Sequence, residues 1–297
     1  MEVNLPSLLK AMEEAARVAA VFQLSEFRTR APGWGDSKAA RDFVSFVDLE
    51  SERMIRTVLD RALPGASFYG EETEKTVGQD YTWIVDPVDG TTNYLSGYDH
   101  WCVSIALYRR DTPRNATYAA GFSDDASIAG GPDKTAAGTL EAGLILKPTT
   151  DELFTATRGG GAFRNGIRLE TAARLDPAQA LIVTGTPFRS PDTVESFHRT
   201  VRRVMSLNRD IRRTGSAALD LAYVAAGFFQ GFWEVDLAPY DAAAGLILIR
   251  ETGQSTHDFG GRPYDLFHSR GLVAGRIGVA EPLARIVREE YANVDLV

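Results

Sequence analysis

Trp83-Ile84-Val85-Asp86-Pro87-Val88-Asp89-Gly90-Thr91-Thr92-Asn93-Tyr94 is the stretch on which the reading of this chain turns. An apolar strand delivers Asp86, proline and glycine force a turn, and two threonines and an asparagine begin a helix. Asp86 and Asp89 are then held on a rigid bend at the carboxyl end of a strand, where open α/β sheets place their ligands. The amides of Gly90 and Thr91 are free at a helix N-terminus, a ready anion site. Carboxylates beside such a nest of amides make sense only with cations between them. Mg²⁺ suits the combination, because it takes oxygen ligands and binds through a few carboxylates plus substrate phosphate. The same residue types are turn formers, so this stretch alone also fits a plain turn.

Two more acidic elements flank it in the chain. Gly70-Glu71-Glu72 follows a short strand, Ser67–Tyr69, and Asp241 begins a helix after Glu234-Val235-Asp236-Leu237-Ala238-Pro239-Tyr240. Taken singly, each fits a solvated carboxylate or a helix cap. Taken together, three acidic elements at strand ends describe one site.

Composition narrows the chemistry. The chain has 297 residues, 32 Lys+Arg against 40 Asp+Glu, and so a net charge of −8. That length allows one large domain or two joined halves, with a core that needs no disulfide or structural metal. Apolar content of 44% and charged content of 24% are those of a globular protein. The acidic balance argues against broad nucleic-acid or anionic-membrane binding, but not against anionic substrates, since bound cations invert a local field. Cys102 is the only cysteine, and His100, His198, His257 and His268 form no metal-binding pattern. Any metal is therefore held by oxygen. No apolar run reaches the length of a membrane helix, and Glu13 and Glu14 lie in an amphipathic repeat that a signal peptide would not carry. The expected location is the cytoplasm.

Periodicity supplies the frame. Leu5, Leu8, Leu9, Met12, Ala16 and Ala19 recur at helical spacing, with Pro6 in the first turn. A second helix is expected after Asp48 as its N-cap, with Ile55, Val58, Leu59 and Ala62 as its stripe and Pro64-Gly65 as its stop. Thr82–Val85 and Trp101–Tyr108 read as strands, and the turns at 159–161 and Asn165-Gly166 as hairpins fed by Leu144–Lys147 and Leu153–Thr157. Beyond them come strand Leu181–Thr184, helix Thr193–Leu207, a helix capped by Ser216 and running to Ala226, and strand Phe228–Val235. A helix opened by Asp241, strand Gly271–Ala274 and helix Pro282–Tyr291 complete the chain. This predicts an α+β N-terminal half (1–175) and an α/β C-terminal half (176–297) in one compact catalytic unit. Asp111–Glu141, rich in Gly, Ala, Ser, Thr and Asp, lacks periodicity and fits a surface insertion, a dimer contact or an overhang of the cleft.

These motifs resemble the inositol monophosphatase family of Mg²⁺-dependent, Li⁺-sensitive sugar-phosphate phosphatases. The likeness rests on Gly70-Glu71-Glu72, on 83–94, on Gly215-Ser216-Ala217-Ala218-Leu219, and on Glu234 with Asp241 seven positions later. Weaker agreement includes Lys38, Asp42 with Asp48, and Asp151–Phe154 leading into Gly159–Phe163. The resemblance implies a layered αβαβα sandwich, of the inositol monophosphatase and fructose bisphosphatase type, and a homodimer. It implies that Glu71, Asp86 and the Val88 carbonyl hold one Mg²⁺, that Asp86, Asp89 and Asp241 hold a second, and that a third, weaker ion lies near Glu71. It further implies direct hydrolysis by metal-activated water, with Glu71 and Thr91 orienting that water and Asp48 partnering Thr91. Gly90 and Thr91 would steady the phosphoryl oxygens. Gly215, Ser216, Ala217, Asp89 and Glu234 would meet the substrate hydroxyls, with Lys38 as a further contact.

Asp89-Gly90-Thr91-Thr92-Asn93 is similar to the branch that acts on inositol monophosphates, so the expected substrate is a small polyol phosphate, inositol 1-phosphate first. Fructose 1,6-bisphosphate and other sugar or nucleotide phosphates are the alternatives within the fold. An interaction protein of the transcription machinery is the alternative from a different class.

Overall fold

The computed structural model describes residues 3–29, 38–110, 138–170 and 173–294, and the backbone alone over 38–45. Its first layer is a pair of helices. Asn4 caps α1 (Leu5–Glu26) by accepting from the Ser7 amide at 3.1 Å, and Leu8, Met12, Ala16 and Ala19 are buried as their spacing predicts. α2 (Lys38–Ala62) corrects the expected boundary. Asp48 is not its N-cap but an interior residue, 2% exposed, on the same face as the buried Glu52, Ile55 and Leu59. The helical stripe simply continues upstream through acidic residues, which an apolar count does not register.

Both helices cover one face of a sheet ordered β1 (Ser67–Gly70), β2 (Tyr81–Asp89), β3 (Cys102–Arg110), β4 (Gly138–Lys147), β5 (Glu152–Thr157), β6 (Gly161–Arg164) and β7 (Ile167–Arg168). β1 and β2 are parallel and the remaining pairs antiparallel. Buried on both faces, the central strands read as continuous apolar runs. Trp83, Val85, Val103, Ile105, Leu107 and Leu144 pack toward α1 and α2, while Ile84, Cys102, Ala106 and Ile145 point the other way. The irregular segment expected over 111–141 is shorter at its end, because Gly138–Glu141 already belongs to β4; residues 111–137 lie outside the described residues.

The opposite face is covered by α5 (Ala217–Ala225) and α6 (Pro239–Glu251). Gly143 of β4 lets α6 lie directly on the sheet: a Cβ there would stand 2.4 Å from Ile247 Cγ2 and 3.1 Å from the Ala244 Cα. A second sheet follows, ordered β11 (Ser255–Asp258), β12 (Gly271–Gly275), β10 (Gly231–Val235), β8 (Leu181–Thr184) and β9 (Asp210–Arg212). Its outer face carries α4 (Val194–Leu207) and α7 (Ala280–Glu290) around Phe197, Val204, Trp233 and Ile286. The layers therefore run αβαβα, as the resemblance implies. β9 and β11, with three and four residues, were too short and polar for the apolar pattern to mark, and β10 starts at Gly231 because Phe228 and Phe229 sit in the turn after α5. Among the described residues no helix is long and apolar enough to cross a membrane.

Candidate active site

The acidic stretch does not turn where its proline suggests. β2 runs on through Asp89, with a register irregularity against β3 between Asp86 and Asp89. Residues three apart in a regular strand point to opposite faces, so the bulge is what lets both carboxylates serve one site. The turn comes at Gly90, which caps α3 (Thr91–Leu95) in the left-handed conformation, φ 96°. α6 supplies the third acid from across the middle layer. It begins at Pro239, two residues before the expected start, and Asp241 in its first turn accepts from the Ala238 amide at 2.7 Å. One carboxylate oxygen from each of Asp86, Asp89 and Asp241 lies within 4.8 Å of the others.

These acids form one wall of a cavity of about 350 Å³, together with Glu71, Val88, Gly90 and Thr91. Gly215, Ser216, Ala217 and Glu234 line it from the other side. Ser216 caps α5 as expected, its hydroxyl accepting from the Leu219 amide at 3.4 Å, and it also donates to Asp89 Oδ2. The Ala218 amide donates to the same oxygen at 2.8 Å. Ser216 therefore spends its donor on an acid rather than on a substrate hydroxyl. Among the described residues the expected Thr91–Asp48 hydrogen bond does not form, and the Thr91 hydroxyl donates to the Val88 carbonyl at 3.0 Å. Asp48 lies behind the cavity wall, and its Oδ1 is buried without a hydrogen-bond partner among the described residues. Lys38 starts α2, and its side chain lies outside the described residues.

Sequence reading missed Glu52, Arg189, Arg213 and Asp220. Glu52 Oε2 accepts from the Glu72 amide at 3.0 Å and its Oε1 from the Thr73 hydroxyl, which fixes the turn that carries Glu71. Its signal was its place four residues beyond Asp48 on the stripe of Ile55 and Leu59. Asp220 accepts from Thr214 Oγ1 at 2.5 Å. Arg213 and Arg189 bring positive charge to the cavity; Arg213 donates to Thr186 Oγ1 at 3.3 Å and Arg189 lies 5.3 Å over the Phe188 ring. No periodicity or motif marks either arginine.

Crowded, desolvated acids resist ionisation. Burial, then the neighbouring Glu71, Asp89 and Asp241, hold the Asp86 carboxyl well above its usual range. Burial likewise raises Asp89 and Glu71, and carries Asp241 to about 7 with help from Asp89. Glu234 is pushed to about 8 by burial and Asp241, and Asp48 to about 9 by burial, Glu72, Glu71 and Glu52. Glu71 and Asp86 are neighbours, and the Glu71 charge is the largest influence on Asp86 after burial. Divalent cations fit this donor set: it is all oxygen, its charges lack compensation, and protons are standing in for positive charge.

Buried acids around hard-cation positions, beside free amides at a helix start, make the kind of site on which metal-dependent phosphatases work. Comparison with known proteins agrees. The sequence profile of the inositol monophosphatase family matches residues 4–124 and 135–292. The inositol-1-monophosphatase of Rhizobium meliloti (strain 1021) is 41% identical over 255 residues, covering 84% of this chain and 85% of the relative. The protein named Nus factor SuhB of Escherichia coli (strain K12) is 34% identical over 289 residues, covering 96% of this chain and 97% of the relative. Among solved structures, the extragenic suppressor protein suhB of Bartonella henselae superposes with a TM-score of 0.75 at 34% identity, over 95% of this chain and 98% of that one. The chain belongs to the inositol monophosphatase family and is a phosphatase of that class.

Proposed function

We propose that this protein is a Mg²⁺-dependent phosphomonoesterase that hydrolyses a small polyol phosphate, inositol 1-phosphate first, to the alcohol and inorganic phosphate. The observation that carries the reading is the approach of Asp86, Asp89 and Asp241 to within 4.8 Å, beside the amides of Gly90 and Thr91. Glu71, Asp86 and the Val88 carbonyl are the residues to hold one ion, and Asp86, Asp89 and Asp241 a second; a third, weaker site belongs near Glu71. When bound, Mg²⁺ acidifies water and offsets charge on the phosphoryl group.

The chain's own residues do the rest. Glu71, its carboxyl raised by burial, is suited to accept a proton from the attacking water. Thr91, anchored on the Val88 carbonyl, keeps its hydroxyl oxygen available as an acceptor that orients that water. Asp48, near Glu71 and Glu72, has its carboxyl pushed up to about 9 by burial and their charges, so it carries a proton near neutral pH in the metal-free protein. The Gly90 and Thr91 amides take the phosphoryl oxygens. Glu234 and the backbone of Gly215 and Ala217 meet the polyol hydroxyls, and Arg189 and Arg213 temper the acid field that a phosphate dianion enters. A Li⁺-sensitive homodimer in the cytoplasm is the form in which we expect it to act.

The relatives named Nus factor SuhB support a second reading, a role with the transcription machinery in which the pocket is secondary. Phosphate release from inositol 1-phosphate, fructose 1,6-bisphosphate, histidinol phosphate and adenosine 3′,5′-bisphosphate, with and without Mg²⁺, separates the two. Mg²⁺-dependent release from inositol 1-phosphate supports the first. Release from none of the four by folded, metal-supplied protein supports the second.

A further inference from the structure

Two left-handed glycines meet behind the acid cluster. Gly90 has φ 96°, and a Cβ on it would lie 3.3 Å from the Gly215 carbonyl oxygen. Gly215 has φ 95°, and a Cβ on it would lie 2.9 Å from Asn93 Nδ2 and 2.5 Å from Arg213 Nη1. A side chain at either position would be strained by the positive φ and would crowd the junction. Asn93 closes the contact. Its amide spends both hydrogens across the junction, on the His100 carbonyl at 2.7 Å and the Thr214 carbonyl at 2.9 Å.

The residues next to these glycines matter most to the site. Asp89 precedes Gly90, Ser216 follows Gly215, and both the Ser216 hydroxyl and the Ala218 amide end on Asp89 Oδ2. The Cys102 thiol also points at this oxygen at 3.8 Å, and the Asp89 carboxylate lines the cavity with Asp86 and Asp241.

We propose that Asn93 is a positioning residue for metal binding: it clamps the Thr214–Gly215 turn against α3, keeps the start of α5 on Asp89 Oδ2, and so fixes the direction of the Asp89 carboxylate in the acid cluster. The proposal rests on the metal reading of the site given above. Mg²⁺ demands near-ideal geometry, and the groups that hold a ligand in place commonly set affinity by factors of ten or more. Removing the amide leaves two carbonyls short of a donor and frees the turn to relax, so the carboxylate loses its fixed orientation while its charge stays.

Mn²⁺ binding to the full chain, followed by the electron paramagnetic resonance of the free ion, tests this with four variants. Asn93→Ala is expected to bind Mn²⁺ about tenfold more weakly than wild type, and to need correspondingly more Mg²⁺ for activity. Asn93→Ser, which keeps one donor, should fall between, and decides the matter if Asn93→Ala does not fold. Val204→Ala truncates a fully buried side chain on α4 and should bind Mn²⁺ as wild type does while melting earlier, which separates positioning from general loosening. Asp86→Asn should lose a Mn²⁺ site. Wild-type Mn²⁺ affinity in both Asn93 variants, with the site lost in Asp86→Asn, overturns the role of Asn93 and leaves the metal reading standing. Wild-type affinity in Asp86→Asn overturns the metal reading and this proposal with it.

Discussion

Single carboxylates in this cavity have distinct surroundings, and their roles divide accordingly. Asp89 has one oxygen occupied by α5, Asp241 gives one oxygen to the amide that starts its own helix, and Asp86 accepts from the Val88 amide at 3.0 Å. Each is held by backbone donors, the arrangement that fixes a ligand's direction. Among the described residues no such donor reaches Glu234, which lines the cavity with Gly215 and Ala217. Replacing Glu234 with Gln is therefore expected to change the ranking of kcat/KM among polyol phosphates by about tenfold, because a pocket hydrogen bond to a hydroxyl discriminates strongly. The Mg²⁺ concentration for half activity should stay close to wild type. Kinetics on two substrates across a Mg²⁺ titration check this; a shifted Mg²⁺ requirement with unchanged ranking would place Glu234 among the ligands instead.

Elements decide whether those side chains can meet. Asp241 reaches Asp86 only because α6 lies against β4 at Gly143, where even one methyl group collides with Ile247 and the helix backbone. Gly143→Val should push α6 outward and cost about 1–3 kcal/mol of stability. It should also raise the Mg²⁺ needed for activity, since Asp241 moves with the helix; denaturant titration and a Mg²⁺ titration on the same preparation measure both. Much of this level was legible in the residues. The stripe of α1, the long apolar runs of β2 and β3, the Ser216 cap and the hairpin turns all carry local signals strong enough to survive without tertiary context. The gathering of Glu71, Asp86, Asp89 and Asp241 into one pocket was legible too, through strand-end acids in a recognisable order. What the residues hid was whatever depends on a neighbour. Asp48 looked like a cap because Asp is a favoured N-cap residue, while the helix in fact begins ten residues earlier at Lys38. The bulge that aligns Asp86 with Asp89 exists only against β3, and the partner of Ser216 lies 127 positions away.

Across the whole molecule, the buried acids tie stability to pH. Carboxyls raised to about 7, 8 and 9 at Asp241, Glu234 and Asp48 bind protons in the folded chain that the unfolded chain has already released. Between about pH 4 and pH 9 the native state thus holds the excess protons, and stability of the metal-free protein falls as pH rises through that window. Bound cations would take over the compensation and flatten the slope. Melting temperatures from pH 6 to pH 9 in EDTA should drop steadily, and those in excess Mg²⁺ should stay nearly level. Parallel curves in the two conditions would mean that the cluster does not hold the ion.

The most direct measurement is phosphate release from inositol 1-phosphate by wild type and Asp86→Asn, each with saturating Mg²⁺ and with chelator, beside circular dichroism of both proteins. Wild type should release phosphate only when Mg²⁺ is present, and the variant, with the wild-type fold retained, should release none. Near-normal Mg²⁺-dependent release by Asp86→Asn, or release by wild type that the chelator leaves unchanged, would contradict it.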